Sequence, residues 1–217
     1  MAKIAIREDN VLAIETRSGL FVIAQALKNK TLVFFNLFTA TPLSFTANLN
    51  SAKFLCCITP TKAFFERVNI IKIKISPAEN IEHYRLQDRL AFYISNHLKG
   101  RKNVTVYAGT TDEITIPSMA TGDELRLIAW RSSETLRHLS KEDDKNLIDE
   151  HQLDMMGEYG ELNERLYLSY RYNKFVEPVK EMVMGNVLPT YKVYFQILAG
   201  RISEDEYMKL PIEEVLY

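Results

Sequence analysis

The residues best suited to chemistry lie in one acidic stretch, KNLIDEHQLDMMGEYGELNER, at positions 145–165. Asp149, Glu150, His151 and Asp154 offer oxygen and nitrogen ligands. A helix would place Glu150 and Asp154 on one face, because residues four apart are neighbours there. A divalent cation could neutralise such a group, and the chain would then be a metal-dependent hydrolase or nuclease that uses the acidic cluster 149–154.

The spacing of these ligands gives that interpretation little support. The stretch has none of the order of an EF-hand loop, it contains no HExxH, and no second cluster with ligand spacing is visible. Acids clustered on a helix are usually a solvated face. The sequence therefore predicts no metal and no cofactor, and the metal-dependent hydrolase is kept as the alternative.

Other catalytic signatures are missing too. There is no GxSxG, no CxxC, no Walker-type glycine loop and no GxGxxG, and the four histidines are scattered along the chain. His97 falls on the apolar face of a predicted helix, where a hydrogen-bonded histidine fits better than a general base. A triad assembled from distant residues stays open, but we expect a protein that is not an enzyme.

A basic corner offers a third interpretation. His97, Lys99, Arg101 and Lys102 gather at the end of the same predicted helix and could contact phosphates. Cations are also favoured at a helix C-terminus by its unpaired carbonyls, and this corner lacks interleaved aromatic residues for stacking on bases. A nucleic-acid-binding module is thus a second alternative, and nucleic acid is not the expected partner.

The elements that carry these residues begin with a β-rich region. VLAIETR and LFVIAQAL flank the turn signal Ser18-Gly19, and TLVFFNLF follows Lys28-Asn29-Lys30. Strand-like runs joined by tight turns predict an antiparallel β-meander or a small barrel-like sheet. Ser76, Pro77 and Glu79 then form a helix start signal, which predicts one long helix over 77–98.

Beyond that helix, NVTVY, EITIP and LRLIAW read as strands that extend the first sheet or build a second. From about Ser132 the apolar spacing becomes helical. The predicted fold class is α+β, with a β-rich region at 1–131 that contains the curled sheet and helix 77–98. A helical region at 132–217 is expected to pack on it rather than to form an independent domain.

Composition indicates a soluble globular protein of 217 residues with 47% hydrophobic residues. The start, MAKIAIREDN, lacks the apolar core of a signal peptide, and the apolar runs are far shorter than the roughly 20 residues that span a bilayer. We therefore expect a cytoplasmic protein with no membrane partner. Cys56 and Cys57 are adjacent, so a disulfide between them would be strained, and we expect both to be reduced and buried.

Charge is segregated along the chain although its net value is only −1. Residues 1–110 carry 15 Lys and Arg against 7 Asp and Glu, whereas residues 111–217 carry 12 against 21. Residues 141–165 alone hold nine acids and three bases, a balance of −6. Such asymmetry suggests a surface that faces a charged partner, or two halves that attract one another.

The acidic run is therefore interpreted as a partner surface. A negative patch speeds the capture of a cationic partner, and an acidic surface could occlude the basic site of a nuclease. Tyrosines are enriched in interfaces, so the neighbouring YLSYRYNKF is a candidate edge. The predicted contact residues are Glu142, Asp143, Asp144, Asp149, Glu150, Asp154, Glu158, Tyr167 and Tyr170.

One segment carries a resemblance to a known family. EDNVLAIETRSGLFVIAQALKNKTLVFFNLF, residues 8–38, resembles the N-terminal β-meander of immunity protein 26-type bacterial proteins. The matching residues are Asp9, Val11, Ala13, Ile14, Gly19, Gln25, Leu27, Phe34 and Phe35. Asn10 departs from the Gly-Asp turn expected at the start of that meander.

That resemblance implies an immunity factor of a contact-dependent or other polymorphic toxin system. The chain would then act as an antitoxin that binds and neutralises a cognate toxin domain, and we expect this domain to be basic, as a nuclease is. No binding residue is carried over from the family. The nine contact residues follow from the charge argument alone.

Overall fold

The computed structural model describes residues 5–79, 81, 89–94, 112–113, 115–117, 124–128, 137–138, 145–150, 152–153, 157–183, 186 and 188–213. The chain divides into two compact units. The first comprises residues 1–85, 156–178 and 188–217, and the second comprises residues 86–155 and 179–187. These ranges differ from the expected boundary at 131/132, because most of the C-terminal helices belong to the unit of the N-terminal sheet.

The first unit is built on a five-stranded antiparallel sheet in the order β4-β3-β2-β1-β5. Its strands are β1 (Val11–Glu15), β2 (Phe21–Ala26), β3 (Leu32–Thr39), β4 (Phe54–Ile58) and β5 (Ile70–Lys72). The first four strands follow one another across the sheet as the meander predicts. The predicted N-terminal β-meander is therefore confirmed.

The hairpin between β1 and β2 uses the predicted turn. Gly19 has a φ of +81°, a conformation that favours glycine because it has no Cβ. The backbone N–H of Leu20 donates to the carbonyl of Arg17 at 3.0 Å, and that of Thr16 donates to the carbonyl of Leu20 at 2.8 Å. This tight turn holds Arg17 where the sheet meets the C-terminal helices.

Both faces of the sheet are buried, which explains why the strands read as continuous apolar runs. One face, with Leu12, Ile14 and Phe34, packs with Leu162 and Leu166. The opposite face packs with residues from the segments that follow β3 and β5, among them Leu49, Ile73, Ala78 and Ile81. Cys56 and Cys57 are buried on opposite faces of the sheet, as their adjacency in β4 requires, so their predicted burial is confirmed.

Six helices are described. They are α1 (Lys62–Arg67), α2 (Lys145–Glu150), α3 (Glu161–Tyr172), α4 (Pro178–Val183), α5 (Lys192–Leu198) and α6 (Glu204–Tyr207). Helix α4 begins at Pro178, and α6 begins with a capping box formed by Ser203 and Glu206. With the five-stranded sheet, the described helices α2 to α6 in the C-terminal half confirm the α+β class. None of the described helices is long and apolar enough to cross a bilayer.

Helix α3 is the element that organises the first unit. Its start is closed by Asn163, whose Oδ1 accepts from the backbone N–H of Gly160 at 3.1 Å. Its end is closed by Asn173 in the left-handed conformation, with a φ of 51°. Leu162 and Leu166 face the sheet, and most of the other side chains of the helix are buried as well.

The second unit contains a separate sheet, so the later strands do not extend the first. Its six described strands are β6 (Arg89–Ile94), β7 (Asp112–Glu113), β8 (Thr115–Pro117), β9 (Glu124–Ile128), β10 (Arg137–His138) and β11 (Gln152–Leu153). The order is β11-β6-β9-β10-β7, and β8 pairs with β9. The strand signals in EITIP and LRLIAW are thus confirmed.

The predicted helix over 77–98 is wrong across the described residues. Arg89–Ile94 is strand β6, antiparallel to β9, because the short run RLAFYI fits a period of two as well as a helical one. The start signal fails for a different reason. Gln25 binds the backbone of Ala78 on both sides, accepting from its N–H at 2.7 Å and donating to its carbonyl at 3.2 Å, so this segment is held out of a helix.

Candidate functional site

Several residues of the predicted contact surface lie outside the described part of the chain. These are Glu142, Asp143, Asp144 and Asp154. Glu150 is described only as the last residue of α2. The basic corner with Lys99, Arg101 and Lys102 also lies outside the described residues.

Two acids of the predicted surface are described, and both are exposed. Asp149 lies on α2 in the second unit, where its backbone carbonyl accepts from the Nζ of Lys180 at 3.4 Å. Glu158 lies in the first unit, just before α3. Each of these two carboxylates is therefore exposed to solvent and can act on a charged partner molecule that approaches its own unit.

The two predicted tyrosines have different positions. Tyr170 is half-buried, and its ring packs against Phe38 with the ring centroids 5.2 Å apart. Tyr167 is fully buried, and its hydroxyl accepts from the backbone N–H of Glu213 at 2.7 Å. As a core residue of α3, Tyr167 cannot contact a partner, so its placement on the surface is corrected. The burial of Tyr167 was not predicted, because the spacing of all three tyrosines in YLSYRYNKF fits a helix face that is partly exposed to water.

Beneath this surface is a buried ion pair that sequence reasoning did not identify. The guanidinium of Arg17 donates to Glu164 through two nitrogens, at 2.7 and 3.0 Å, and the two side chains are 2% and 0% exposed. Burial by itself lowers the pKa of Arg17, but hydrogen bonding and the charge of Glu164 outweigh it, so the pKa is raised. A turn arginine is ordinarily exposed, so no sequence signal marked this pair.

The same guanidinium holds the C-terminal segment against α3. Its Nη1 donates to the carbonyl of Pro211 at 3.0 Å, and its plane lies over the ring of Tyr167 at 3.8 Å from the centroid. Arg171 donates to the carboxylate of Glu213 at 2.5 Å. Arg17 is thus engaged by internal partners and is not available to bind or polarise a substrate.

A second internal pair lies further along α3. Arg165 donates to Glu177 at 3.1 Å, with both side chains buried, and its guanidinium lies near the ring of Phe175. Among the described side chains, the Nε of Arg165 is buried without a hydrogen-bond partner. The guanidinium of Arg165 therefore bonds to Glu177, twelve positions further along the chain.

Glu161, in the first turn of α3, has a carboxyl group whose pKa is raised. Burial, reinforced by the charge of Glu158, raises the pKa of Glu161 from 4.5 to about 7, although Arg165 acts in the opposite direction. Glu161 therefore changes charge near neutral pH. This makes the start of α3 sensitive to pH in the physiological range.

A cleft of about 200 Å³ opens beside the Arg17 turn, wholly within the first unit. It lies where the end of β1, the segment after α1, the start of α3 and the C-terminal segment meet. Its lining residues are Glu15, Thr16, Arg17, Ser18, Val68, Asn69, Tyr159, Asn163 and Met208. At its rim, Ser18 is exposed and the side chain of Met208 is 53% exposed, so the cleft is accessible from solvent.

The electrostatics of the cleft centre on Tyr159. Burial raises the pKa of Tyr159, the nearby charges of Glu15 and Asp205 raise it further, and Arg67 lowers it. Arg67 is itself paired with Glu204. After burial, the carboxylates of Glu15 and Asp205 thus favour the protonated form of the Tyr159 hydroxyl.

Two hydrogen bonds fix the wall of the cleft. Glu15 accepts from the backbone N–H of Gly19 at 2.7 Å, which orients its carboxylate. The Nδ2 of Asn163 donates to the backbone carbonyl of Glu15 at 2.8 Å, which ties the end of β1 to α3. The cleft is thus a preformed feature made by the fold.

No group of three or more His, Cys, Asp and Glu with metal-binding geometry occurs among the described residues. Asp149 is the only member of the proposed 149–154 ligand set whose side-chain exposure is described.

The chain matches a protein family of undetermined function. No curated protein and no solved structure matches the chain. A family model described as "Domain of unknown function (DUF8309)" matches residues 1–189, which include the five-stranded sheet, α3 and the described strands of the second unit. The chain therefore belongs to the DUF8309 family.

Proposed function

We propose that the protein is a cytoplasmic, non-enzymatic immunity protein that binds and neutralises a cognate bacterial toxin. The observation that carries the proposal is that three arginines at α3 are bound to carboxylates of the protein itself, while acids nearby stay exposed. The cations Arg17, Arg165 and Arg171 are buried and bound to internal carboxylates. The acids Glu158 and Asp205, by contrast, are exposed.

This arrangement favours a cationic partner. A cation that is paired inside the protein adds little to the external field, whereas an exposed carboxylate acts directly on an approaching molecule. A toxin that cleaves nucleic acid must carry Lys and Arg to hold phosphates, so it presents the complementary charge. The resemblance of residues 8–38 to immunity protein 26-type proteins points to the same class of partner.

The proposed contact surface differs from the sequence expectation in its details. In the first unit it comprises Glu158 together with the cleft residue Glu15 and the exposed Asp205, and it omits the buried Tyr167. Tyr170, half-buried against Phe38, stays at its edge. Asp149, an exposed acid of the second unit, is kept as a separate candidate contact.

The direct test is protection. The protein is co-expressed with the product of the neighbouring gene, and survival of the host and recovery of a complex are measured. We expect both, and we expect the double charge reversal Asp149→Lys and Glu158→Lys to reduce protection. Glu79→Lys, at an exposed position outside the proposed surface, is the matched control. The proposal would be overturned if the natural protein gave no protection. It would also be overturned if the double variant protected the host and formed the complex as well as the natural protein does.

A further inference from the structure

The cleft beside the Arg17 turn has the dimensions of a site for one side chain. Its volume of about 200 Å³ is below the roughly 300–1,000 Å³ of pockets that enclose a drug-sized ligand. One long unbranched side chain, entering from the open rim near Ser18 and Met208, is an occupant of the right size.

The lining suits a side chain with an apolar stem and a cationic head. Val68 and Met208 provide apolar and thioether surface, and Tyr159 adds an aromatic residue to the lining. Lys and Arg bury their methylene stems on such surface and are attracted to aromatic rings. The carboxylate of Glu15 supplies the acceptor that such a head requires.

The charge balance of the cleft also favours a cation. Arg17 is a lining residue, but its charge is neutralised by Glu164 at 2.7 Å. Arg67, near Tyr159, is paired with Glu204. Glu15 accepts one hydrogen bond from the N–H of Gly19. A carboxylate has two oxygens and about four lone-pair sites, so it can accept further bonds from a guanidinium or an ammonium group.

We propose that this cleft, lined by Glu15, Tyr159 and Met208, receives a single Arg or Lys side chain of the toxin. The inference rests on the proposed function, because it names the group of the toxin that the immunity protein captures. Glu15 is held by Gly19, and Asn163 pins its backbone, so the site is formed before the partner arrives. Preorganisation of this kind lowers the entropic cost of binding.

The cleft is tested with small probes on the full chain. N-acetyl-arginine amide, N-acetyl-lysine amide and the neutral N-acetyl-norleucine amide are titrated into protein labelled with ¹³C at the methionine methyl groups. We expect the two cationic amides, and not the norleucine amide, to shift the Met208 resonance. Equal binding of the neutral probe, or no response to either cation at millimolar concentration, would overturn the inference.

Variants assign the binding to the carboxylate. Glu15→Gln preserves an oxygen for the N–H of Gly19 and removes only the charge. We therefore expect it to weaken the binding of the arginine amide about tenfold or more. Asp205→Asn, at an exposed position, should weaken it about two- to threefold. Glu79→Gln, outside the cleft, should leave the affinity unchanged. Equal affinity of the Glu15→Gln variant and the natural protein would contradict the assignment.

The same variants separate this inference from the proposed function. If the natural protein binds the toxin and Glu15→Gln leaves that complex unaltered, the cleft inference fails and the immunity function stands. If the cationic amides bind in the cleft but the protein neither binds the toxin nor protects against it, the proposed function fails and the cation site stands.

Discussion

Arg17 and Glu164 take two full charges out of water between the β1–β2 turn and α3. Desolvation of a buried ion is costly, and the bidentate geometry with the further bond to Pro211 is what offsets this cost. Removing one partner would leave the other charge buried and unpaired. The pair therefore makes the packing of α3 and the C-terminal segment on the turn dependent on both residues.

This dependence predicts the outcome of a mutational cycle. Glu164→Gln should lower the free energy of unfolding by about 3 kcal/mol, since Arg17 is left without a countercharge. Arg17→Met with Glu164→Leu should cost less than Glu164→Gln alone, because no buried charge remains. Urea denaturation of the three proteins measures both values. A double variant that is less stable than Glu164→Gln would show that the pair itself, and not the orphaned charge, dominates.

Glu161 predicts a pH dependence of stability. Its pKa in the folded protein is about 7 against 4.5 for the free group, so folding disfavours the ionised form. The contribution of protonated Glu161 to the free energy of unfolding is fully present below pH 4.5, and it is lost as the pH rises through 7. Glu161→Gln should therefore stabilise the protein at pH 8, on the order of 2 kcal/mol, and have little effect at pH 4. Denaturation curves at the two pH values test this, and an equal effect at both would contradict it.

At the scale of elements, the segment before α3 is docked on β4 through a close backbone approach. Gly157 forms a parallel bridge with Pro60, and the N–H of Thr61 donates to the carbonyl of Gly157 at 3.0 Å. A Cβ at Gly157 would lie 2.8 Å from Leu162 and 2.9 Å from both Ile58 and Pro60. The contact with the backbone Cα of Pro60 cannot be relieved by a side-chain rotation.

Gly157→Ala should therefore destabilise the protein by about 1–3 kcal/mol, the usual cost of overpacking. Glu158→Ala, at the exposed next position, is the control and should change stability by less than about 0.5 kcal/mol. Thermal and urea unfolding of both variants give the comparison. An unchanged free energy of unfolding for Gly157→Ala would mean that the segment moves away from β4 at no cost.

The predictability of the elements follows from how local their determinants are. The β1–β2 hairpin is specified by its own turn residues, and the capping box at Ser203 by residues three apart, so both could be predicted. Strand β6 is specified by its pairing with β9, more than thirty residues away, so it could not. The start signal at Ser76 failed because Gln25, distant in sequence, binds Ala78.

For the whole molecule, the charge of the sequence predicts an acidic partner surface and nine contact residues, but not which of these residues are exposed. Glu158 is exposed as the charge argument requires, whereas Tyr167 is buried because α3 is covered on most of its surface. The cleft combines residues from four separate segments of the chain, so no local pattern could indicate it. The ion pair of Arg17 and Glu164 could not be predicted for the same reason, because the two residues are 147 positions apart.

The central claim, that exposed acids of this protein capture a basic toxin, is tested most directly by association kinetics. The rate constants for binding the toxin domain of the neighbouring gene are measured against salt concentration for the natural protein, Glu158→Lys and the control Glu79→Lys. We expect the natural association rate to fall as salt rises, and Glu158→Lys to associate severalfold more slowly at low salt with little change in dissociation. Association that is independent of salt, or that slows equally in Glu79→Lys, would contradict the account.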